Sequence, residues 1–486
     1  MRFLKSYLLS SLLFLCHFLL AQNYQAINGS PYAGSLGSNP ASIVHVPYSW
    51  DITPFSIQLK QATNAYVIEK YSLLSSPGNM EVSSANGIKS RFVYANQDIH
   101  LLNTRINLNP GSAIAFGANI RSYVYATVNK SNWQDTFNLI NFLEKNTGNT
   151  PLSGQAAGSS WAEIYGSYAR TIIENDKSRL NAGITLKLTQ GLAGGYGRAQ
   201  GVNYTGSPPP GRPGYSLSSG SMQYGYSDNF DFIDSNKSFA ANRKLFMERT
   251  YSSIGANIGL EYILLANEDD EAASDYAYRT KIGISLMDIG YNKYRYGKES
   301  RSVTAGKPGI TDTLLEDKFG TVASFSDFND TIATIAGSTS QIAGEFFIYQ
   351  PTRIVINVDQ HITQNFFVNA EITIPVLPIV SKSTLIIRDM NLLAITPRWE
   401  LRSIGAYLPI SMNIKRQLWI GGAFKAGPVL LGTHNLANLF SKNKSQNGGV
   451  YLALTIRPGK KSDQQGSSRS ERLPRKLRRS LDCPKF

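Results

Sequence analysis

Residues 113–128 read AIAFGANIRSYVYATV. The even positions carry Ile114, Phe116, Ala118, Ile120, Val124 and Val128. The odd ones carry Gly117, Asn119, Arg121, Tyr123 and Thr127. A period of two is a strand with one apolar and one polar face. The pattern returns in 181–192, where Ala182, Ile184, Leu186 and Leu188 alternate with Asn181, Gly183, Thr185 and Lys187. It returns again in 253–264, where Ile254, Ala256, Ile258 and Leu260 alternate with Gly255, Asn257, Gly259 and Glu261. Such runs are twice the usual strand of about 5–6 residues and match the ~9–11 residues that cross a bilayer at a tilt. They predict an all-β fold, a transmembrane antiparallel β-barrel.

Shorter alternations extend the pattern through 162–168, 282–286, 354–358, 368–374, 418–424 and 450–456. Weaker candidates lie near 50–60, 64–74, 90–108, 215–232, 384–395 and 397–409. Together they give about fourteen strands (12–16), and single-chain bacterial barrels take even numbers. The polar face defines the expected lumen: Asn119, Arg121, Lys187, Glu261, Asn357, Asp359 and Glu371. Phe116, Ile120, Ile184, Leu186, Ile258 and Leu260 are expected to face lipid.

The ends read differently. Residues 1–21 carry Arg2 and Lys5 before the apolar run 8–20, the pattern of a secretory signal peptide cleaved after Ala21. Residues 22–48 are rich in Gly, Ser, Asn and Pro, which is turn chemistry, and are expected to form a plug or hatch-like segment. The barrel is expected over 49–456. Residues 457–486 hold ten Lys/Arg against Asp463, Glu471 and Asp482, half of the formal net charge of +14. This tail reads as a disordered basic arm, periplasmic in an even-stranded barrel. It is suited to periplasmic or envelope protein partners of opposite charge. No aromatic interleaving favours nucleic acid. Cys483 is the one cysteine beyond the signal segment, so no disulfide framework is expected.

Three inserts interrupt the pattern at 129–159, 199–221 and 297–340 and should lie mostly on the outer side. Helical spacing of Trp133, Phe137, Ile140 and Leu143 predicts a short helix in the first, and a second helix is expected near 313–319. Chemistry is sparse. Asp359 and His361 share a strand face, the spacing of an oriented imidazole, but every strand here places polar residues on that face. The acidic run 267–271 lacks the spacing of a calcium loop, and no histidine pair has metal-ligand spacing. No catalytic constellation forms, so the chain reads as a non-enzyme with no cofactor and no metal.

Gly37-Ser38-Asn39-Pro40-Ala41-Ser42 resembles the NPA-type hatch segment of barrels similar to long-chain fatty-acid transporters, which makes Asn39, Pro40 and Ala41 the hatch candidates. Ser285-Leu286-Met287-Asp288-Ile289-Gly290 resembles a strand end of Bacteroidota outer-membrane barrels. Thr396-Pro397-Arg398-Trp399, 405–410 and 426–433 resemble a Bacteroidota outer-membrane barrel family of unknown function, some of whose members continue into peptidoglycan-binding domains. The resemblance implies a cell outer membrane location in contact with outer-membrane lipids. It also implies a porin-like transport role as a conduit for small or hydrophobic compounds. A non-transporting scaffold or accessory of secretion, motility or envelope attachment is the alternative.

Overall fold

The computed structural model describes residues 25–36, 39–134, 139–146, 151–206, 215–234, 236–266, 278–307, 310–320, 322–376 and 385–458. Fourteen antiparallel strands form the wall. They are β1 Trp50–Thr63, β2 Gly87–Asn109, β3 Ser112–Trp133, β4 Leu152–Glu174, β5 Ser178–Gly206, β6 Tyr251–Leu265 and β7 Tyr278–Arg295. There follow β8 Arg353–Thr363, β9 Phe366–Pro375, β10 Leu392–Glu400, β11 (Ile404–Tyr407 and Ile410–Asn413), β12 (Leu418–Ile420 and Gly422–Ala426), β13 Val429–Thr433 and β14 Val450–Ile456. Each pairs with the next, and β14 closes the cylinder on β1 from Ile52↔Ile456 to Gln58↔Tyr451. Closure leaves no open edge, the condition for a sheet to stand in hydrocarbon.

The strand count agrees with the sequence expectation, but its membership differs. The candidate at 64–74 is a small hairpin, Tyr66–Glu69 with Glu81–Ser84, outside the wall. The candidate at 215–232 forms Tyr215–Tyr226, which extends the sheet above the wall. The fourteenth strand is β13, a five-residue strand too short to show a period. Both β11 and β12 break, at Leu408-Pro409 and Gly421. The ladder survives through Leu408 N–H to Pro397 O (3.1 Å) and Gly421 N–H to Pro409 O (2.7 Å).

The two-residue period sets the faces. Phe116, Ile184, Leu186, Ile258 and Leu260 are exposed on the outside, and Ile120 is half-buried there. Their odd-numbered neighbours lie on the inner face, buried apart from the half-buried Gly117. Turns at the end holding Trp50 and Ile456 are short (110–111, 175–177, 364–365, 401–403, 427–428), apart from that spanning 266–277, most of which lies outside the described residues. Most long inserts gather at the opposite end. There β2 to β5 run 22 to 29 residues, far beyond a membrane span, while β8 to β14 stay short. The barrel is therefore tall on one side.

Most of the insert expected at 199–221 is instead strand, reaching Gly206 and resuming at Tyr215. A helix does form in the first insert, over Leu139–Asn146, and another at Asp312–Gly320. Two more helices, Phe239–Glu248 and Phe325–Ile335, were not apparent from periodicity. The second begins in a capping box of Ser324 and Asp327. No helix among the described residues is long and apolar enough to cross a membrane.

Candidate functional site

The candidate site is the lumen, and two layers of side chains and one inserted segment fill it. The segment is 25–48, three short 3-10 turns (Gln25–Ile27, Pro31–Leu36, Pro40–Ile43) seated at the termini end. Asn39 caps the last turn, its Oδ1 accepting from Ala41 N–H at 2.9 Å. Its Nδ2 donates to Leu260 O of β6 at 2.8 Å. Pro40 stands at the first helical position, where a missing N–H costs nothing.

A seat of glycines receives this turn. Gly183, Gly259 and Gly283 lie on the lumen faces of β5, β6 and β7, and Gly183 pairs with Gly259 across the ladder. A Cβ at Gly183 would lie 2.5 Å from Pro40 C. One at Gly259 would lie 1.9 Å from Asn39 Oδ1, and one at Gly283 would lie 2.9 Å from Asn39 Nδ2. Only bare backbone admits the segment this closely. Asn39, Pro40 and Ala41 thus all sit inside the barrel and are buried.

Polar contacts hold the rest of the segment. Asn28 Nδ2 donates to Glu371, and Ser30 Oγ to Glu400 at 2.7 Å. Lys281 Nζ donates to Gly29 O at 2.6 Å. Ser35 N–H donates to Asp51 at 2.9 Å. Asp51 is ion-paired with Arg105, which also donates to Ile43 O at 3.1 Å and Tyr48 O at 2.5 Å. Apolar packing adds two patches. Ala26, Ile27, Tyr32 and Leu36 join Tyr407, Leu430 and Tyr451, while Ile43 and Val44 join Ala113, Ala115 and Ala169. Arg457, just past β14, closes the underside. It lies 5.0 Å from the Tyr32 ring centroid and 4.8 Å from that of Tyr48, within cation–π range.

A second charged cluster, lower in the lumen, is built on Asp359 and Glu400. Arg398 pairs with both, at 2.9 Å to Asp359 Oδ2 and 3.3 Å to Glu400. Tyr278 OH donates to Asp359, and Lys425 pairs with Glu400 at 2.8 Å. Asp359 does not meet His361, whose Nε2 lies 2.9 Å from Gln364 O. Among the other expected lumen residues, Asn357 donates to Asn369 at 3.0 Å. Glu261 accepts from Asn181 at 3.3 Å, and Asn119 donates to Glu163 at 2.9 Å.

Asp288 is the hub of the upper charged layer. Arg121 binds it through two nitrogens (2.5 and 3.0 Å), Lys187 at 2.5 Å, and Arg353 through Nη1. Arg121 also reaches Asp98 at 2.7 Å. A carboxylate and its cations taken out of water are tolerated only when each is paired and hydrogen-bonded. By strict alternation Asp288 would face lipid, since Ile282, Ile284 and Leu286 do. A bulge intervenes: the register against β6 slips between Leu286 and Ile289, and Asp288 takes φ +54°. That extra residue turns the carboxylate inward, which is why alternation alone missed it.

Above the hub the lumen is aromatic. Tyr123, Tyr125, Trp161, Tyr196, Tyr294 and Phe346 pack together with Ile348 and Ile387. Ile387 belongs to an inward-folded stretch after β9. Leu385–Ile386 pairs in parallel with Ile348 and Tyr349, and Asp389 lies 3.4 Å from Arg353. Between the inserted segment and the hub remains a polar cavity of ≈80 Å³, lined by Pro40, His100, Asn119, Glu163, Lys187 and Asp288 among others. A smaller one of ≈50 Å³ lies beside His45 and Lys281. Both have room for a few waters, at ~10–15 Å³ each, and lie far below the ~300–1,000 Å³ of a ligand pocket. Among the described residues no group of three or more His, Cys, Asp or Glu is placed to hold a metal ion. Residues 1–21, the acidic run 267–271 and the basic tail beyond Pro458 lie outside the described residues.

Solved structures with similarity include a Pseudomonas aeruginosa FadL homologue at 10% identity and TM-score 0.36, covering 89% of this chain and 95% of that one. The Ralstonia pickettii toluene transporter TbuX shares 12% identity at TM-score 0.37, covering 88% and 94%. The P. putida toluene transporter TodX shares 12% at TM-score 0.38, covering 87% and 93%. No curated protein matches. Residues 62–434 match the Family of unknown function (DUF5723), and the chain belongs to that family.

Proposed function

We propose that this protein is a gated conduit of the outer membrane for small or hydrophobic compounds, captured here in its closed form. One observation carries the reading: the lumen is stopped by a separate chain segment, not by side chains of the wall alone. Residues 25–36 and 39–48 belong to no strand, enter from the termini side, and are held by hydrogen bonds to Glu371, Glu400, Lys281 and Asp51. Hydrogen bonds to charged groups such as these contribute about 1.5–3 kcal/mol each, and water can replace them. A stopper of this kind can leave without unfolding the wall. The lining grades from aromatic at the loop end to ionic toward the termini, which suits an amphipathic cargo.

The second reading is a closed scaffold. The fit of Asn39 and Pro40 into Gly183, Gly259 and Gly283 favours it, because a segment seated on bare backbone can be permanent. Planar-bilayer conductance separates the two. Deleting residues 22–46 should raise single-channel conductance above that of the full chain. The inward stretch 385–390 forms a second block, so the deletion is also tested with that stretch replaced by a short glycine-rich turn. A barrel that assembles yet stays closed in both forms supports the scaffold and removes the conduit.

A further inference from the structure

The segment between Tyr226 and Tyr251 has an unusual place in the wall. From Arg179 to Val202 one side of β5 is paired by β4, so its other side must take everything else. That other side carries β6 along 178–191 and the strand Tyr215–Tyr226 along 195–206. The two partners form one column of the sheet. Residues 227–250 are therefore an excursion from the middle of a column, not a loop at a strand end. They leave at Ser227, whose N–H donates to Gly194 O at 2.8 Å, and return beside Gln190, which donates to Thr250 Oγ1 at 2.6 Å. At this level the lumen is filled by Tyr196, Trp161 and Tyr294; Gly225 faces Tyr196 and Tyr296, so Tyr226 faces the other way, and its OH donates to Asp231 of the excursion at 2.6 Å. The excursion stands on the outside of the wall.

Its composition fits that position. It holds a 3-10 turn, Asp228–Phe232, and the helix Phe239–Glu248, joined by the Phe230–Phe246 ring pair at 5.5 Å and by Arg249 over Phe232 at 4.2 Å. Phe239 is 82% exposed, and Phe230, Phe232, Ile233 and Met247 are exposed as well. Arg243 and Lys244 are exposed on the same helix. Directly below lie Leu188 and Ile254, cross-strand neighbours and both outward, the latter 73% exposed. They belong to the apolar belt that faces lipid. The exposed apolar surface of the excursion is thus continuous with the membrane-facing surface.

We infer that residues 228–249 are a membrane-interface foot that binds glycerophospholipid-type amphiphiles at the headgroup–acyl boundary of the loop-end leaflet. Phe239, Ile233 and Met247 enter the acyl edge, while Arg243 and Lys244 remain among the headgroups. Aromatic and apolar side chains beside basic ones are the composition that settles at this boundary. The foot braces the barrel at the point where β5 changes partners.

Site-directed spin labelling tests this on the full chain with Cys16 and Cys483 replaced by serine. A label at Phe239→Cys, in vesicles of phosphatidylcholine with a minority of phosphatidylglycerol, is compared with one at Ala323→Cys, an exposed site on the loop end. The expected result is a severalfold higher ratio of oxygen to water-soluble nickel collisions at 239 than at 323. Equal, nickel-dominated collisions at both sites would overturn the inference, placing the foot in water. Low collisions with both reagents at 239 would also overturn it, because the patch is then covered by protein. Met247→Cys provides a second label should the first variant fail to assemble.

Discussion

Asp288 shows how one residue organises a lumen. It accepts from Arg121, Lys187 and Arg353 at once, and all four side chains are buried. Removing its charge leaves three cations without their shared partner. Breaking a buried pair costs about 3–5 kcal/mol, so Asp288→Asn is expected to lower stability by that order in urea unfolding of the folded barrel. A loss below about 1 kcal/mol would show that Asp98, Glu163 and Asp389 compensate. His45 adds one contribution to the pH dependence. Burial, reinforced by Lys281 and then Arg179, lowers its pKa from 6.5 to about 3. Its residual exposure faces the smaller cavity beside Lys281. The folded state holds the ring neutral, and the unfolded state takes up the proton first. The contribution of the neutral ring is complete above pH 6.5 and is lost as the pH falls toward 3. A urea-midpoint series from pH 7 to 4 should fall more steeply for the native chain than for His45→Gln. Parallel series would exclude His45 as the source.

At the scale of elements, the strands were legible because a face exposed to lipid and a face exposed to ions force strict alternation. Asn119, Arg121, Lys187, Glu261, Asn357, Asp359 and Glu371 all point inward for that reason. The pattern fails where the chain departs from the ladder. The bulge at Asp288 inverts the parity, β13 is too short to carry a period, and the excursion at 227–250 interrupts a column. The glycine seat was hidden too, since Gly183, Gly259 and Gly283 read only as small residues on the polar face. A side chain there must displace Asn39 or Pro40. Gly259→Leu should unseat the segment and make 25–48 sensitive to a protease added to the termini side, with the wall intact. Unchanged resistance would mean that the turn can shift to accommodate the side chain. The outer face carries a different penalty. Leu186→Arg places a charge in the apolar belt at a cost of ~2–4 kcal/mol, while Ser340→Arg, in the sheet above it, should assemble normally. Equal assembly of both in a heat-modifiability gel would contradict the assigned belt.

The whole molecule couples its two chain ends at one place. The inserted segment comes from the N-terminal side, and the basic tail begins at Arg457, the residue stacked against Tyr32 and Tyr48 of that segment. Arg457 also donates to Tyr32 O at 3.3 Å and to Arg402 O at 2.8 Å, fixing the tail's root to both stopper and wall. Ten basic residues from this root onward favour anionic partners, and salt screens them over a Debye length of ~8 Å at physiological ionic strength. A chain ending at Pro458 keeps β14 and Arg457, so it should assemble and remain closed. Any partners that the full chain retains in a low-salt pull-down should be lost from the truncated chain, and high salt should strip the same ones from the full chain. Arg457→Ala, made in the chain whose second block at 385–390 is replaced by the short glycine-rich turn, should do the converse: any partners stay, because the remaining tail is basic, while conductance rises as the stopper loses its lower clamp. If the truncated chain keeps every partner at low salt, the tail is not the docking arm. If Arg457→Ala leaves conductance at the closed level, the glycine seat and the Glu400 and Asp51 contacts hold the stopper without help from the tail's root.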